Sequence, residues 1–369
     1  MSRETFRIPA PGSPVTARSR SGRGRLVLPT ELWLLLANVL VFLAVYAGDP
    51  RRSIATANSL QMLTADAALL GLFAIGMTVV IISGGIDLSV GTVIAFASVV
   101  FTMVVRGLVP AAQLPNKVGG VTPGVLLFAT LVTLTASLLV GLLHGGLINL
   151  LRIPPFIATL GTLIGLRGAS RLLAQWAQGS DKISLSAPLF RALYNTTVDL
   201  PLPWLETPLK LRWIPLLLFA LVAIAVGVLM TRTVAGRHLY ALGGNEQAAR
   251  LSGIRTGRLR ILAYMVCSGC AGLAGILYAS REGQGNSVNL GVGYELNAIA
   301  AAVVGGTSLR GGVGTITGTI LGAIFLTLVI NGIGYLIKID ASLYEGLLVG
   351  LVVIKAVAVN QVRQWRGRS

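Results

Sequence analysis

Apolar residues along the chain fall into blocks of about 17–25, the length at which a helix crosses the apolar core of a bilayer. Glycine, proline or clustered charge closes each block. Read by apolar run and breaker residue, the pattern predicts ten spans, at residues 31–48, 60–82, 88–107, 123–149, 155–176, 213–230, 259–280, 294–306, 313–334 and 343–359. The eighth is too short to cross alone, so it either extends back towards residue 288 or is a partial helix. Residues 177–212 form the one sizeable connecting segment. Its Pro, Leu and aromatic content, with Trp204 and Trp213 suited to an interfacial belt, predicts a short helix lying on the membrane surface.

The most unusual break is SGGIDLSVG, residues 83–91. Two glycines, a carboxylate and two hydroxyls interrupt membrane-grade sequence. Gly84 and Gly85 end the second span, and Asp87 or Ser89 can cap the start of the third. Polar side chains there satisfy backbone donors that lipid would leave unpaired. A second glycine-rich stretch, GGTSLRGGVG at 305–314, echoes GGIDLSVG at 84–91, as a weak internal repeat of two breaks at inward-facing span ends.

Composition agrees with the pattern: 54% of the 369 residues are hydrophobic and 12% charged, against about 25% charged in a soluble domain. The expectation is an all-α integral membrane protein of about ten transmembrane helices. The net charge of +17 is the basic surplus that cytoplasmic loops collect, not a nucleic-acid surface. With the N-terminus inside, the loops at 150–154, 231–258 and 307–312 and both tails face the cytoplasm. The 231–258 loop carries Arg232, Arg237, Arg250, Arg255 and Arg258 against one acid, Glu246, whereas the outer loops mix both signs. N- and C-termini are therefore both expected in the cytoplasm. The domain division is a basic tail at 1–30, a transmembrane region at 31–359 and a basic tail at 360–369. Val45-Tyr46-Ala47 could mimic a cleavage site, but an uncleaved first helix fits better.

Catalytic chemistry is scarce. No phosphate-binding glycine loop, no His-Glu-x-x-His and no plausible Ser-His-Asp set occurs, and two histidines with thirteen scattered acids are poor material for catalysis. No metal site and no cofactor are expected in this chain. Cys267 and Cys270 read as small packing residues in an apolar helix. Asp66, Glu295 and Glu345 read as span-end charges that reach the interface. Arg167 and Arg171, one turn apart in the fifth span, read as snorkelling or pairing with an outer acid, or as polar lining of a path. A transporter or channel subunit follows, with an energy source outside the chain. An ion-coupled carrier is the alternative, although no acid pair lies at mid-membrane. Small residues at four-residue spacing (Gly141/Gly145, Gly161/Gly165, Gly314/Gly318/Gly322, Gly346/Gly350) allow close helix approach.

The loop LGGNEQAARLSGI, 242–254, has a helical logic. Asn245 can cap a helix start, Glu246 suits its positive end, and Gly253 suits a left-handed stop. This predicts a helix of about two turns flanked by Gly243, Gly244 and Gly253. It carries Ala248, Ala249 and one apolar knob, Leu251. So short a helix is marginal in water and needs a partner surface.

Four stretches together resemble the ribose-type sugar permeases of bacterial ABC importers. They are AIGMTVVIISGGIDLSVG (74–91), IPPFIATLGT (153–162) with Arg167-Gly168, LGGNEQAARLSGI (242–254) and YELNAIAAAVVGGTSLRGGVGT (294–315). The resemblance runs from about residue 55 to 359 and leaves the basic N-terminal tail outside it. It implies the ABC importer permease fold in the bacterial inner membrane. It also implies a second permease subunit (a homodimer or heterodimer), two ATP-binding subunits that hold ATP and Mg, a periplasmic sugar-binding protein and surrounding membrane lipid. Residues 242–254 match the loop by which such permeases couple to their ATPase. Asn297 stands where they commonly carry Asp. The expected cargo is a monosaccharide; a nucleoside, a branched-chain amino acid or a signalling furanone are alternatives. Gly84, Gly85, Asp87, Ser89 and Gly91 are expected to form a rigid turn at the inner mouth. Asn149, Thr159, Thr162, Asn297 and Asn331 are candidate path residues.

Overall fold

The computed structural model describes residues 30–109, 120–185, 187–205 and 207–337, with scattered helical residues between 344 and 355. Both predicted tails, Glu345 and most of the tenth expected span lie outside the described residues. Nine expected spans coincide with helices: α1 (Thr30–Gly48), α2 (Ala57–Ile82), α3 (Val90–Leu108), α4 (Pro123–Leu150), α5 (Pro155–Gln178), α7 (Trp213–Arg232), α10 (Thr256–Glu282), α11 (Tyr294–Val304) and α12 (Ile316–Ile337). Among the described residues eight of these are long and apolar enough to cross a membrane. The exception is α11. Its 11 residues reach about 16 Å, roughly half of a bilayer's apolar thickness. It does not extend back to residue 288: Gln284–Asn286 is a strand instead.

The interior is built on α2 and α10, which are lined with small residues so that neighbours approach closely. α2 is buried along most of its length. Gly76 rests on the backbone of Cys267, and Asp66 meets Arg281, so the two helices run antiparallel. Both cysteines are buried and free in this seam. Gly141 and Gly145 of α4 likewise rest on the α10 backbone near Tyr264 and Ile261. Gly318 and Gly322 pack α12 on α11, whereas Gly161 and Gly165 face open space.

Two breaks interrupt this core, one from each end. The first follows α2, whose last turn closes with Gly84 N–H donating to the Ile81 carbonyl (2.9 Å) and Gly85 N–H to the Val80 carbonyl (3.0 Å), with Gly84 left-handed (φ 84°). The chain then folds back into the bundle and restarts as α3. Gly275 of α10 lies against Ile94 and Ala97, and Gly285 lies against Ser98 and Val99, so α3 runs parallel to α10 and begins beside its middle. The second break follows α10. Residues 284–286 pair with Lys182–Ser184 as a two-stranded antiparallel ribbon (β1, 182–184; β4, 284–286). α11 then starts beside the middle of α2, where Tyr294 stacks on Phe73 at 5.7 Å. The two restarts touch: a Cβ on Gly91 would overlap the Gly291 carbonyl, and one on Gly291 would overlap that of Gly91.

The pairing of these breaks is written in the chain. Ile86–Gly91 reads IDLSVG and Val288–Gly293 reads VNLGVG. Each follows one of two antiparallel helices, the arrangement of an inverted repeat. The echo expected at 305–314 lies at the same end of the bundle as 83–85, as two breaks at span ends of one side require. It copies the helix ending of 83–85, with Gly306 left-handed (φ 89°) and Thr307 N–H donating to the Ala302 carbonyl (2.9 Å).

At the end where α10 finishes sits the connecting segment. It contains the predicted short helix, α6 (Pro188–Asn195), and a hairpin of β2 (Thr197–Leu200) with β3 (Leu209–Arg212). Phe190 and Tyr194 of α6 are buried, and Ser280 donates to the Phe190 carbonyl (2.6 Å). Arg171 pairs with Asp181 at 3.4 Å, as expected for an outer acid. The donors Gln175 and Arg171 hold the Asp181 carboxyl below its ordinary range. Arg167 instead turns inward and donates to the carbonyls of Ser287 (3.3 Å), Val288 (3.4 Å) and Leu290 (2.6 Å), fixing the second break.

Candidate functional site

Three features on this scaffold are built for more than packing. The first is a glycine joint at the end of the bundle carrying the basic 231–258 loop. Two helices lie in that loop, the expected α9 (Glu246–Leu251) and, ahead of it, α8 (Val234–Gly244). α8 was illegible as a separate element because its apolar side (Leu239, Leu242) is covered only by the folded bundle. Gly243 at its end touches Ile82 and Gly312, and Gly311 approaches both Gly243 and Gly84. The Gly312 N–H donates to the Ile82 carbonyl at 2.9 Å. Side chains at these positions would hold the three backbones apart.

α9 forms as its residues predict. Asn245 accepts from the Ala248 N–H (3.0 Å), and Gly253 is left-handed (φ 80°). Ala249 is buried and Leu251 is 90% exposed. Glu246 reaches Arg260 of α10 at 2.8 Å, and Arg260 in turn donates to Asn149 at the end of α4 (2.8 Å). Asn149 also donates to the Gly257 carbonyl (2.8 Å). It is thus a pin between α4, α9 and α10, remote from the cavity described below.

The second feature is a sealed polar cluster behind the joint. Asp87, Ser89 and His144 are fully buried. Asp87 Oδ1 accepts from both the N–H (2.9 Å) and the hydroxyl (2.6 Å) of Ser89, one residue before α3. His144 Nε2 lies 2.7 Å from the Thr162 hydroxyl and 3.3 Å from that of Ser89. Both hydroxyl protons are committed elsewhere, Thr162's to the carbonyls of Ala158 and Thr159 and Ser89's to Asp87. Nε2 is therefore the donor. Nδ1 faces Asp87 Oδ2 at 4.0 Å, and neither atom has a hydrogen-bond partner among the described residues. Thr159 binds the Pro155 carbonyl (3.0 Å) and reaches that of Ile86 (3.4 Å), which Tyr264 also bonds (3.2 Å). Thr159 and Thr162 thus belong to this cluster. The 83–91 segment consequently spans depth: Gly84 and Gly85 lie at the joint, Asp87 and Ser89 inside, and Gly91 at the mid-bundle crossing.

The third feature is a cavity of about 200 Å³ on the far side of the crossing. Each of four helices gives it one or two turns. Asp66 and Phe73 come from α2, Tyr278 and Arg281 from α10, Tyr294 and Asn297 from the first turn of α11, and Thr327 and Asn331 from α12. Arg281 binds Asp66 at 2.7 Å and covers the Tyr194 ring at 5.5 Å. Tyr278 and Tyr294 lie 5.4 Å apart. Of the five candidate path residues the cavity brings together two, Asn297 and Asn331.

Asp66 lies level with Arg281 at the end of α10, as expected of a span-end charge, and is paired with it; Glu295 corrects that expectation, since it sits at the mid-bundle start of α11, beside Gly91. The IDLSVG/VNLGVG match was the sequence signal for the second break, and with it for Tyr294. The cavity's aromatic members had no signal of their own, because their spacing is that of any buried helix face.

Helices that begin half way through the bundle, beside a polar cavity, are the arrangement of a transport permease. Residues 59–357 match the family described as branched-chain amino acid transport system / permease component, and the chain belongs to that family. It is 33% identical to the ribose import permease protein RbsC of Escherichia coli over 95% of this chain and 100% of that protein. It is 35% identical to the autoinducer 2 import system permease protein LsrC of Shigella flexneri over 89% of this chain and 86% of that one. It is also 39% identical to the inner membrane ABC transporter permease protein YjfF of Escherichia coli over 70% of each chain. No solved structure matches it.

Proposed function

We propose that this chain is the membrane-spanning subunit of an ATP-driven importer in the bacterial inner membrane and that its cargo is a monosaccharide. ATP and Mg are held, and ATP is hydrolysed, by separate subunits; a periplasmic binding protein delivers the sugar. The name of one relative, the ribose import permease, supports the cargo. Two permease subunits, alike or merely similar, with two ATP-binding subunits form the working unit.

The observation that carries the coupling mechanism is the backbone contact between the 242–254 loop and both helix ends at the glycine joint. An ATP-binding subunit gripping α9 through Leu251 has two routes into the bundle. One is Gly243–Gly244 against Gly84 and Gly311–Gly312. The other is Glu246 through Arg260 to Asn149. Close-packed joints of this kind shift as units instead of deforming gradually.

The test is reconstitution with the ATP-binding subunits and binding protein encoded alongside. Glu246→Lys and Gly253→Val should leave the permease in the membrane and lower uptake at least tenfold while ATP hydrolysis is no longer matched to transport. Wild-type uptake in both variants would sink the docking proposal. Vesicles holding this chain alone should show no uptake under a proton or sodium gradient; uptake there would establish an ion-coupled carrier instead. The family description favours one second reading, a branched-chain amino acid as cargo, and [³H]leucine belongs in the same uptake panel.

A further inference from the structure

We infer that the cavity between α2, α10, α11 and α12 is the transit site of the importer, and that it accepts one uncharged polyhydroxylated ring at a time. This rests on the importer assignment above and adds to it the place and chemistry of the substrate's stop.

The position is that of a relay. The cavity opens towards the end of the bundle that carries α6 and the hairpin, since Asp66 and Arg281, 23% and 34% exposed, lie there. Its floor is the first turn of α11, the half-length helix that begins beside the crossing of the two breaks. Anything that moves α11 relative to α2 therefore changes the cavity floor. The Arg167 clamp on residues 287–290 and the Gly91–Gly291 contact hold that floor in register. Motion of the glycine joint reaches the same helix from its other end, where Gly305 packs on Gly318 and Gly312 on Gly244.

The chemistry selects against charge. The cavity's acid and base bind each other at 2.7 Å, and the guanidinium lies over the Tyr194 ring as well. A charged solute would have to break that pair to be matched. The remaining polar lining is two carboxamides, Asn297 and Asn331, and the hydroxyls of Thr327, Tyr278 and Tyr294. Each of these groups both donates and accepts, as every hydroxyl of a sugar does. Phe73 and the two tyrosines supply the apolar wall that a ring's carbon face requires. The volume, about 200 Å³, is that of about seven waters at liquid density, room for one small ring.

The experiment uses the complete importer in proteoliposomes and measures uptake of ¹⁴C-labelled D-ribose, D-xylose, D-galactose and L-leucine alongside ATP hydrolysis. Asn297→Leu and Asn331→Leu, of similar volume but without hydrogen-bonding groups, should retain hydrolysis stimulated by the loaded binding protein. Sugar moved per ATP should fall at least tenfold. Wild-type sugar moved per ATP in both variants would overturn the transit site while leaving the importer assignment intact. An importer that carries leucine and none of the sugars would overturn the monosaccharide cargo and the uncharged-ring chemistry of the site, and leave the ATP-driven importer standing. Should either leucine variant lose hydrolysis as well, Asn331→Cys decides, since the two natural cysteines are buried. A charged methanethiosulfonate should then modify position 331 and stop uptake with hydrolysis preserved, and the loaded binding protein should slow the modification. Modification without effect on uptake contradicts the proposal.

Discussion

Asp87 shows how far a single residue's role depends on what surrounds it. Its local part, accepting from the Ser89 N–H, is the turn-forming bond expected of a carboxylate two residues upstream. Its other oxygen faces His144 across 4.0 Å in a fully buried setting. Asp87→Asn keeps an oxygen that can accept from the Ser89 N–H and hydroxyl. The expected loss of stability is about 1 kcal/mol or less, the size of a cap. Asp87→Ala orphans the Ser89 donors and should cost about 1–3 kcal/mol. Thermal melting of the purified permease in detergent measures both. A loss of about 3–5 kcal/mol for the Asn variant would show instead that the pair is held as a fixed ion pair. Sugar selectivity should stay unchanged in the Asn variant, since Asp87 is separated from the cavity by the Gly91–Gly291 crossing.

Among elements, the informative ones are those the chain leaves incomplete. α3 and α11 begin inside the bundle because α2 and α10 each hand over to a short extended segment, and those segments meet where only glycine fits. Gly91→Ala and Gly291→Ala should each destabilise by about 1–3 kcal/mol through overpacking. Because both disturb one contact, the double variant should cost less than the two losses added, by roughly 0.5–3 kcal/mol. A denaturation series on the four proteins reads this directly; strict additivity would mean that the breaks do not share a contact. At the other joint, Gly243→Ala places a methyl against the Ile82 carbonyl that Gly312 bonds. It should reduce uptake even where the protein still inserts.

For the whole molecule, the distribution of charge makes a statement about orientation. The basic 231–258 loop, the end of α4 and residues 307–312 gather at one end, and the 177–212 segment at the other. With the basic end in the cytoplasm, Leu251→Cys should react with a membrane-impermeant thiol reagent only in inverted vesicles. Trp204→Cys should react in intact cells, and the buried natural cysteines should stay silent. The reversed pattern would invert the topology. A reporter fused after Ser369 is expected in the cytoplasm.

What the chain determined by itself is whatever depends on neighbours in sequence. Helix lengths follow from apolar runs, and α9 follows from Asn245, Glu246 and Gly253, because caps and turns are satisfied within a few residues. The end of α2 at Gly84 is of the same kind. What only the tertiary structure decided is depth and company. A glycine in sequence does not say which backbone will lie against it, so Gly91 with Gly291, and Gly84 with Gly243 and Gly311, became partners only when α2 and α10 packed antiparallel. Asn149, Thr159 and Thr162 looked like Asn297 and Asn331, polar residues in apolar helices. Packing set Asn149 into a pin between helices and Thr159 and Thr162 into the sealed cluster, and left the last two facing a cavity. That distinction is long-range: it depends on four helix faces meeting, and no local pattern in any one of them encodes it.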